Sequence, residues 1–381
     1  MTSDDTAPAT EIVELFPGRR RDRELFIGLP FMLAQGFPAW QPGIRRINAN
    51  TVHPGRNPFW RQHRGWFFAA LQAGRIVGRA ALVETGSIPQ QPAAAVLAFP
   101  DFIDDANVVT ALLNAVCARA REQGATALIG PLNPDIHHDI GVQVSGFDHR
   151  NAVFMGYQPP YYALRLEAAG FQPLLEAQAW SLHHDTFLRT GRMRRIAERV
   201  EARTQLRIRS ADIRRFQSEL KTLFHLYSES FADHWGFERP TWDEFEFLAS
   251  DLRYLLKQNL VLIAEWDGEP VGFVVGVPDL YEILPHNSSG RLTPPFLLRL
   301  LRRWRSISLV RIMIAGVLPS HRGLGIHAPL FYRIAASVFD LGLTGGEIAW
   351  VARDNPGMAE ALPLLGACPT KTYRLYTKDL S

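Results

Sequence analysis

Residues 309–317 read LVRIMIAGV and residues 318–327 read LPSHRGLGIH, directly before a helical pattern over 328–339. The spacing predicts a buried strand, a glycine-rich loop and the start of a helix, in that order. Backbone N–H groups of such a loop converge on one point, where the helix dipole and Arg322 add positive charge. Because glycine has no Cβ, the backbone at Gly323 and Gly325 allows a ligand to approach closely. The stretch therefore predicts a site for a phosphorylated ligand.

The spacing of this loop argues against two common phosphate motifs. It lacks the Gly-Lys-Ser/Thr ending of a P-loop, which disfavours a nucleoside triphosphate. It also lacks the G-x-G-x-x-G pattern, which disfavours a dinucleotide. An ordinary glycine-rich surface turn stays open as the alternative interpretation of the motif alone.

The composition is that of a globular chain. Its 381 residues are 47% hydrophobic and 21% charged, which is enough for two domains with separate cores. A formal net charge of +3 does not indicate bulk binding of nucleic acid. The two cysteines, Cys117 and Cys368, lie in apolar contexts and predict small core residues. The polar start lacks the apolar segment of a signal peptide and no membrane-spanning apolar run occurs, so we expect a cytoplasmic protein.

The predicted elements repeat in the two halves of the chain. The first half runs hairpin, strand, helix, strand and asparagine at 65–82, 94–99, 106–122, 125–130 and Asn133. The second half follows the same order at 261–277, 309–317, 328–339, 348–351 and Asn355. This order indicates an internal duplication, with domains at 1–185 and 186–381.

The two copies differ where the second has its glycine-rich loop. The first copy has Asp101, Asp104 and Asp105 directly before its helix at 106–122. Acidic side chains at a helix N-terminus satisfy the dipole internally and repel a pyrophosphate. We therefore expect 1–185 to be a degenerate copy, and 186–381 to be the binding and catalytic domain.

Residues 322–326, Arg-Gly-Leu-Gly-Ile after an apolar strand, resemble the pyrophosphate loop of the GNAT (GCN5-related) acyltransferase superfamily, which binds acyl-CoA. His327 departs from the pattern, in which glycine or alanine is usual. The segments 130–133 (GPLN) and 57–59 (NPF) are similar to a bacterial group with two fused GNAT domains, which includes enzymes that make ceramide-type lipids. The resemblance implies an α/β (α+β) fold of two tandem GNAT-like domains, each a mixed, mostly antiparallel twisted sheet flanked by helices. It also implies acyl-CoA as co-substrate and an amine acceptor, with a long-chain acyl group and a lipid-type amine in the ceramide-like case.

The same resemblance implies roles for residues of the second domain. The backbone of Ala315, Gly316 and Val317 would pair with the pantetheine arm of the co-substrate, and a backbone N–H of this strand would stabilise the oxyanion. Gly316 would permit the local distortion of the strand. Asn355 would contact the pantetheine or orient the site. The residues that would hold the pyrophosphate are Arg322, Gly323, Leu324, Gly325, Ile326 and His327.

Attack of an amine on a thioester needs a general base, and the leaving thiolate needs an acid. The tyrosine acid that is usual in the superfamily is replaced here by Leu362, so Tyr373 and Tyr376 are the candidate substitutes, with aromatic core packing as the alternative for both. For the base, Glu282 is the first candidate and His234 the second, because both lie near the ends of predicted strands. A solvated loop residue is the alternative interpretation for each.

The remaining expectations concern partners. Residues 294–305 predict an arginine-rich amphipathic helix, which either packs on the domain core, the favoured interpretation, or lies on an anionic membrane and places the protein peripherally at the inner membrane. No spacing typical of a metal site occurs, so no metal is expected. Two other functions stay open, namely an inactive acyl-CoA-binding sensor and a transferase that uses aminoacyl-tRNA.

Overall fold

The computed structural model describes residues 8–84, 86, 88–189, 191–253, 255–284 and 290–381. The described residues form thirteen strands and twelve α-helices, besides short 3-10 turns. The chain divides into two compact units. The first unit consists of Met1–Leu175, Pro285–Thr293 and Tyr373–Ser381, and the second of Glu176–Leu284 and Pro294–Thr372.

The elements are numbered in chain order. The strands of the first half are β1 Thr10–Leu15, β2 Gly65–Gln72, β3 Arg75–Val83, β4 Ala94–Phe102, β5 Ala127–Gly130, β6 Val142–Ser145 and β7 Gln172–His183. Its helices are α1 Arg20–Leu33, α2 Arg45–Val52, α3 Phe59–Gln62, α4 Ala106–Glu122 and α5 Tyr161–Ala168.

The second half contains more helix. Its strands are β8 Leu206–Ser210, β9 Val261–Trp266, β10 Glu269–Pro278, β11 Leu309–Val317, β12 Gly345–Ala352 and β13 Cys368–Asp379. Its helices are α6 His184–Arg189, α7 Gly191–Arg203, α8 Phe216–Ser230, α9 Trp242–Leu252, α10 Pro294–Arg303, α11 His327–Asp340 and α12 Pro356–Leu365.

Each unit contains the same mixed sheet. In the first unit β1, β2, β3 and β4 pair antiparallel in that order, β4 pairs parallel with β5, and β5 pairs antiparallel with β13. In the second unit β8, β9, β10 and β11 pair antiparallel in that order, β11 pairs parallel with β12, and β12 pairs antiparallel with β7. The predicted fold class is confirmed, and the six strands of each pairing order correspond one to one, while β6 of the first unit is additional and pairs with β13.

The strand that completes each unit comes from the other half of the sequence. Residues 177–183 of β7 follow α5 but pair with β12, and residues 376–379 of β13 follow α12 but pair with β5. The structure therefore differs from the predicted division into 1–185 and 186–381, which assigns each of these strands to the half that precedes it. Alternation along a strand shows which side chains are buried but carries no information on the neighbouring strand.

In each unit one helix packs closely against the sheet. In the first unit, a Cβ on Gly78 of β3 would lie 3.3 Å from Leu112 and from Val108 of α4. In the second unit, Leu330, Ile334 and Val338 of α11 pack on a cluster that includes β10 and β11. Cys117 is buried in the first core, as predicted, but Cys368 is exposed at the start of β13, so its predicted core position is wrong.

Candidate active site

The glycine-rich loop lies between β11 and α11, where the sequence predicts it. Gly323 and Gly325 have φ angles of +82° and +80°, a conformation that side chains with a Cβ rarely adopt. A Cβ on Gly323 would meet nothing within 4 Å, whereas a Cβ on Gly325 would lie 3.3 Å from Val200 of α7. Ile326 is fully buried and anchors the loop to the core, while the Leu324 side chain is 45% exposed.

A run of backbone N–H groups in this loop has no acceptor in the protein. No acceptor group in the part of the chain that the structure describes forms a hydrogen bond with the N–H groups of residues 323–327. The next donor is the N–H of Ala328, which bonds the Gly325 carbonyl at 3.2 Å. Five consecutive open donors at the N-terminus of α11 suit an anionic group, and the dipole of this helix favours the same charge.

The edge of β11 next to the loop is open as well. β11 and β12 pair over Leu309↔Gly345 to Ile312↔Ile348. Beyond that point residues 314–317 pair with β10, and no other described strand is paired with residues 313–317. The strands therefore diverge toward the loop, as the resemblance implies.

The β-bulge lies earlier than predicted. Val275 pairs with Ile314 and Gly276 with Ile312, which leaves Met313 as the extra residue. The bulge is thus not at Gly316, and the expectation that Gly316 allows a ligand to approach the strand closely stays a prediction. Gly316 makes room for a neighbour, because a Cβ there would lie 2.8 Å from Cβ of Ser230 and 3.0 Å from Phe273.

Arg322 ties the loop to the last turn of α8. Its Nη2 donates to the Ser230 carbonyl at 2.7 Å, and its Nη1 lies 3.9 Å from Asp233. The side chain is 39% exposed and is thus accessible to a ligand. Its charge also acts on two imidazoles: burial, and after it the positive charge of Arg322, lower the pKa of both His234 and His327. Both imidazoles therefore take up a proton only at a lower pH than an ordinary histidine.

The geometry argues against Glu282 as general base. Its carboxylate accepts hydrogen bonds from the N–H of Ser308 at 2.7 Å, the hydroxyl of Ser308 at 2.5 Å and the N–H of Leu309 at 3.0 Å. Both oxygens thus fix the entry into β11. At roughly 3.3 Å per strand residue, Glu282 lies about 20 Å along β11 from Gly316.

The two candidate acids, Tyr373 and Tyr376, and the asparagine Asn355 also make contacts that stabilise the fold. Tyr373 is 1% exposed and belongs to the first unit, where its hydroxyl lies 3.5 Å from the Gly156 carbonyl. Burial, together with the hydrogen bond to Glu167, raises the pKa of Tyr376 to about 12. These contacts fit the alternative of packed aromatic residues. The side-chain oxygen Oδ1 of Asn355 accepts a hydrogen bond from the N–H of Met358 at 3.2 Å and caps α12.

Sequence reasoning missed a buried charged cluster beside the point where β11 and β12 diverge. Arg311 and Lys371 are 2% and 1% exposed, and Nζ of Lys371 lies 2.5 Å from Oε2 of Glu347. Arg311 pairs in register with Glu347, and its guanidinium lies 4.8 Å from the Trp350 ring centroid. The other oxygen of Glu347, Oε1, is buried and has no hydrogen-bond partner among the described residues.

The position of this cluster follows from side-chain alternation. Val310 and Ile312 pack in the cluster that contains α11, so Arg311 between them points to the opposite face of the sheet. Register pairs on parallel strands share a face, which places Glu347 there too. The sequence did contain a signal for this cluster, namely one charged residue inside each of two otherwise apolar strands, Arg311 in β11 and Glu347 in β12. Because a buried charge needs a partner, the two could have been expected to lie together.

In the first unit, the helix N-terminus and the strand edge that correspond to the glycine-rich loop and to the open edge of β11 form hydrogen bonds within the protein. Asp105 caps α4 by accepting from the N–H groups of Asn107 and Val108, and Asp104 pairs with Arg165 at 2.8 Å. The gap between β4 and β5 is filled by the following segment: the N–H of Leu132 bonds the Leu97 carbonyl at 3.1 Å. Asn133 accepts from the N–H of Phe99 at 2.6 Å. These contacts support the expectation of a degenerate copy, and the filled gap is a reason for it that the sequence did not reveal.

Two features are absent from the residues that the structure describes. No helix in that part of the chain is long and apolar enough to cross a membrane. No group of three or more histidine, cysteine, aspartate or glutamate side chains there is arranged to hold a metal ion.

Known proteins resemble this chain in sequence and in fold. No family model matches the chain. It is 31% identical over 370 residues to a Caulobacter vibrioides protein described as bacterial ceramide synthase, covering 93% of this chain and 94% of that one. It is 28% identical over 373 residues to protein YghO of Escherichia coli, covering 95% and 94%. A solved tandem GNAT protein from the clavulanic acid biosynthesis pathway has a TM-score of 0.59 at 13% identity, covering 98% of this chain and 99% of that one.

The repeated mixed sheet and the matching solved structure define the tandem GNAT fold. The chain belongs to the tandem GNAT acyltransferase family that includes the Caulobacter relative.

Proposed function

We propose that the protein is an acyl-CoA-dependent N-acyltransferase whose second unit binds the co-substrate. One observation carries this proposal: five open N–H groups at residues 323–327 adjoin the open edge of β11 at 313–317. The loop suits a diphosphate, and an unpaired strand edge suits the amide groups of a pantetheine arm. Arg322, with a partly exposed guanidinium, adds a full positive charge beside the diphosphate.

We further propose a long-chain acyl group and a lipid-type amine as the two substrates, as in ceramide formation. The support is the relative described as bacterial ceramide synthase, which aligns with 93% of this chain.

An acyl-CoA thioester would supply the acyl carbon, whose C–S bond breaks as the amine nitrogen forms the new C–N bond. The amine must lose a proton to a base, and the thiolate must gain one. Among the described residues near the divergence of β11 and β12, Glu347 offers a carboxylate oxygen without a partner, and we propose it as this base. Nζ of Lys371, at 2.5 Å from Oε2, holds the carboxylate in place, and Arg311 lies beside it in register on β11.

Binding is tested with a matched pair of glycine variants, Gly323→Asp and Gly342→Asp. Both glycines have positive φ, +82° and +75°, and neither has an atom within 4 Å of an added Cβ. Aspartate tolerates this conformation, so the backbone cost is similar in the two variants. Only the first places a negative charge at the loop, and there it also suits the N-terminus of α11. We expect Gly323→Asp to weaken coenzyme A binding at least about tenfold in calorimetric titration, through charge repulsion.

The control Gly342→Asp should bind coenzyme A as the wild type does. Equal affinity of both variants would contradict the assignment of the loop. Activity is then measured as thiol release from palmitoyl-CoA or acetyl-CoA, with and without a long-chain amine, and mass spectrometry identifies the amide product. Release that requires both palmitoyl-CoA and the amine supports the proposal, whereas binding without release supports the sensor alternative.

A further inference from the structure

An acid-free segment of the second half contains an exposed amphipathic helix. From Ile283 to Phe339 the sequence contains no aspartate or glutamate but eight arginines. Four of these arginines lie on or directly after α10, namely Arg299, Arg302, Arg303 and Arg305. No ion pair joins these four arginines to another described residue, so the surface of α10 carries positive charge although the whole chain has a formal net charge of only +3.

The apolar surface of α10 has an inner side and an outer side. Helical residues are about 100° apart around the axis, so Phe296, Leu300 and Trp304 fall on one side, and these residues are half-buried. Leu297, Leu298 and Leu301 fall on the other side and are 41%, 50% and 72% exposed. None of the ten residues of α10 is buried.

This arrangement differs from packing of the whole apolar face on the domain core, the interpretation that the sequence favoured. An exposed row of leucines on a ten-residue helix is costly in water, since each loses the benefit of burial. The described chain covers the inner side of the helix in part and leaves the outer leucines open. The surface formed by Leu297, Leu298 and Leu301 is named here the leucine ridge.

We propose that the leucine ridge inserts into the surface of an anionic phospholipid bilayer, with the arginines beside it bound to lipid phosphates. On the helix Arg302 follows Leu298 around the axis, and Arg305 lies in the 3-10 turn Trp304–Ser306 directly after it. Arginine keeps its guanidinium at the level of the phosphates while its methylene groups follow the apolar side chains inward. Because the stretch from Ile283 to Phe339 contains no acidic residue, α10 itself presents no negative charge to an anionic surface.

A membrane fits this surface better than a protein groove. A groove is specific for the positions of anchor side chains and has its own charge pattern, whereas a bilayer needs only an apolar ridge flanked by positive charge. The proposal concerns where the protein is located and does not depend on acyl transfer.

Co-sedimentation of the full chain with lipid vesicles tests the proposal. We expect binding to vesicles of equal parts phosphatidylglycerol and phosphatidylcholine, weak binding to pure phosphatidylcholine, and a marked loss between about 0.1 M and about 0.5 M salt, because salt screens surface charge. The variant Leu298→Gln/Leu301→Gln should bind anionic vesicles at least about tenfold more weakly, since it removes the inserted leucines. Arg302→Gln/Arg303→Gln should reduce binding to anionic vesicles only.

The matched control is Leu164→Gln on α5, because Leu164 is 67% exposed and lies outside the acid-free segment. It should bind vesicles as the wild type does. All substituted side chains lie at the surface, so unchanged thermal unfolding is expected and is measured alongside. Failure of the wild type to bind anionic vesicles would overturn the proposal, and so would binding that the leucine variant leaves unchanged. A concentration-dependent dimer that the leucine variant abolishes would instead assign the ridge to a second copy of the chain.

Discussion

At the scale of single residues, the buried ion pair of Glu347 and Lys371 is the feature most open to test. We expect Glu347→Gln to lower kcat by about 10²- to 10⁴-fold, the range for loss of a general base. Coenzyme A affinity should stay unchanged, because Glu347 lies on β12 and not in the loop. Steady-state kinetics with calorimetric titration checks both quantities.

The control for this variant is Glu265→Gln, which breaks another ion pair, that of Glu265 with Arg209 at 2.5 Å. It should lower stability without lowering kcat. Glu347→Gln leaves a buried lysine without its full counter-charge, so its midpoint of thermal unfolding should fall further than that of the control. A normal kcat in Glu347→Gln would exclude this carboxylate as the base.

The imidazole of His234 gives a second test at the residue scale. Burial and then the charge of Arg322 lower its pKa, so it gains a proton only below its usual range near ~6.5. Arg322→Gln removes the second cause and should raise the pKa of His234 part of the way back, whereas Arg322→Lys keeps the charge and should change it less. An NMR titration of the His234 ring protons measures this shift. An equal pKa in the wild type and in Arg322→Gln would show that the charge of Arg322 does not act on His234.

The residue scale also shows what sequence reasoning reached and what it did not. The sequence singled out Gly323 and Gly325 because they lack a Cβ, and both have positive φ angles, which most residues with a Cβ adopt rarely. Glu282 was not identifiable as a structural carboxylate, because its three donors lie at residues 308 and 309, far away in the sequence. Its contacts depend on how β10 and β11 meet, which no local pattern encodes.

At the scale of elements, the close packing of α8 against β11 depends on the absence of a side chain at Gly316. A Cβ on Gly316 would lie 2.8 Å from Cβ of Ser230, closer than folded proteins allow. Gly316→Ala should therefore lower the free energy of unfolding by about 1–3 kcal/mol, as overpacked variants commonly do. Adding Ser230→Gly removes the nearest atom and should restore part of the loss, with the Phe273 contact at 3.0 Å remaining. Urea unfolding of both variants decides this, and a double variant no more stable than Gly316→Ala would contradict the packing account.

The bounds of helices and strands were predicted well where the hydrophobic pattern was regular and ended at a clear boundary in the sequence. The predicted helix 106–122 agrees with α4, and the predicted strand 309–317 agrees with β11. The bulge was misplaced at Gly316, because its true position at Met313 is set by the register between β10 and β11 and by no residue that signals it. The helix at 294–303 was predicted correctly, but periodicity alone did not show that its outer leucines stay exposed.

At the scale of the whole molecule, each unit depends on a strand from the other half of the sequence. The last nine residues, Tyr373–Ser381, belong to the first unit and contain the buried residues Tyr373, Tyr376 and Leu380. Removing them should expose β5 and the first core, so residues 1–175 should become sensitive to limited proteolysis. The control is removal of Ser381 alone, which is exposed and follows the last strand. A truncated chain that resists protease as the full chain does would contradict the exchange of strands.

The duplication was readable from the order of elements, and the exchange of the last strands was not. Order along the chain is a property of the sequence, whereas the choice of neighbour for β7 and β13 is made only when the sheets form. The degenerate first copy was predicted from its aspartates, and the structure adds the segment after β5 that fills the gap between β4 and β5.

The central claim is that one co-substrate binds per chain, at the open amides of the second unit. Hydrogen exchange followed by mass spectrometry, with and without coenzyme A, tests it most directly. The account predicts slower exchange in peptides that contain residues 323–327 and no change in those that contain 105–108, because Asp105 already caps the latter N–H groups. Unchanged exchange at 323–327 under saturating coenzyme A, or protection at 105–108, would contradict it.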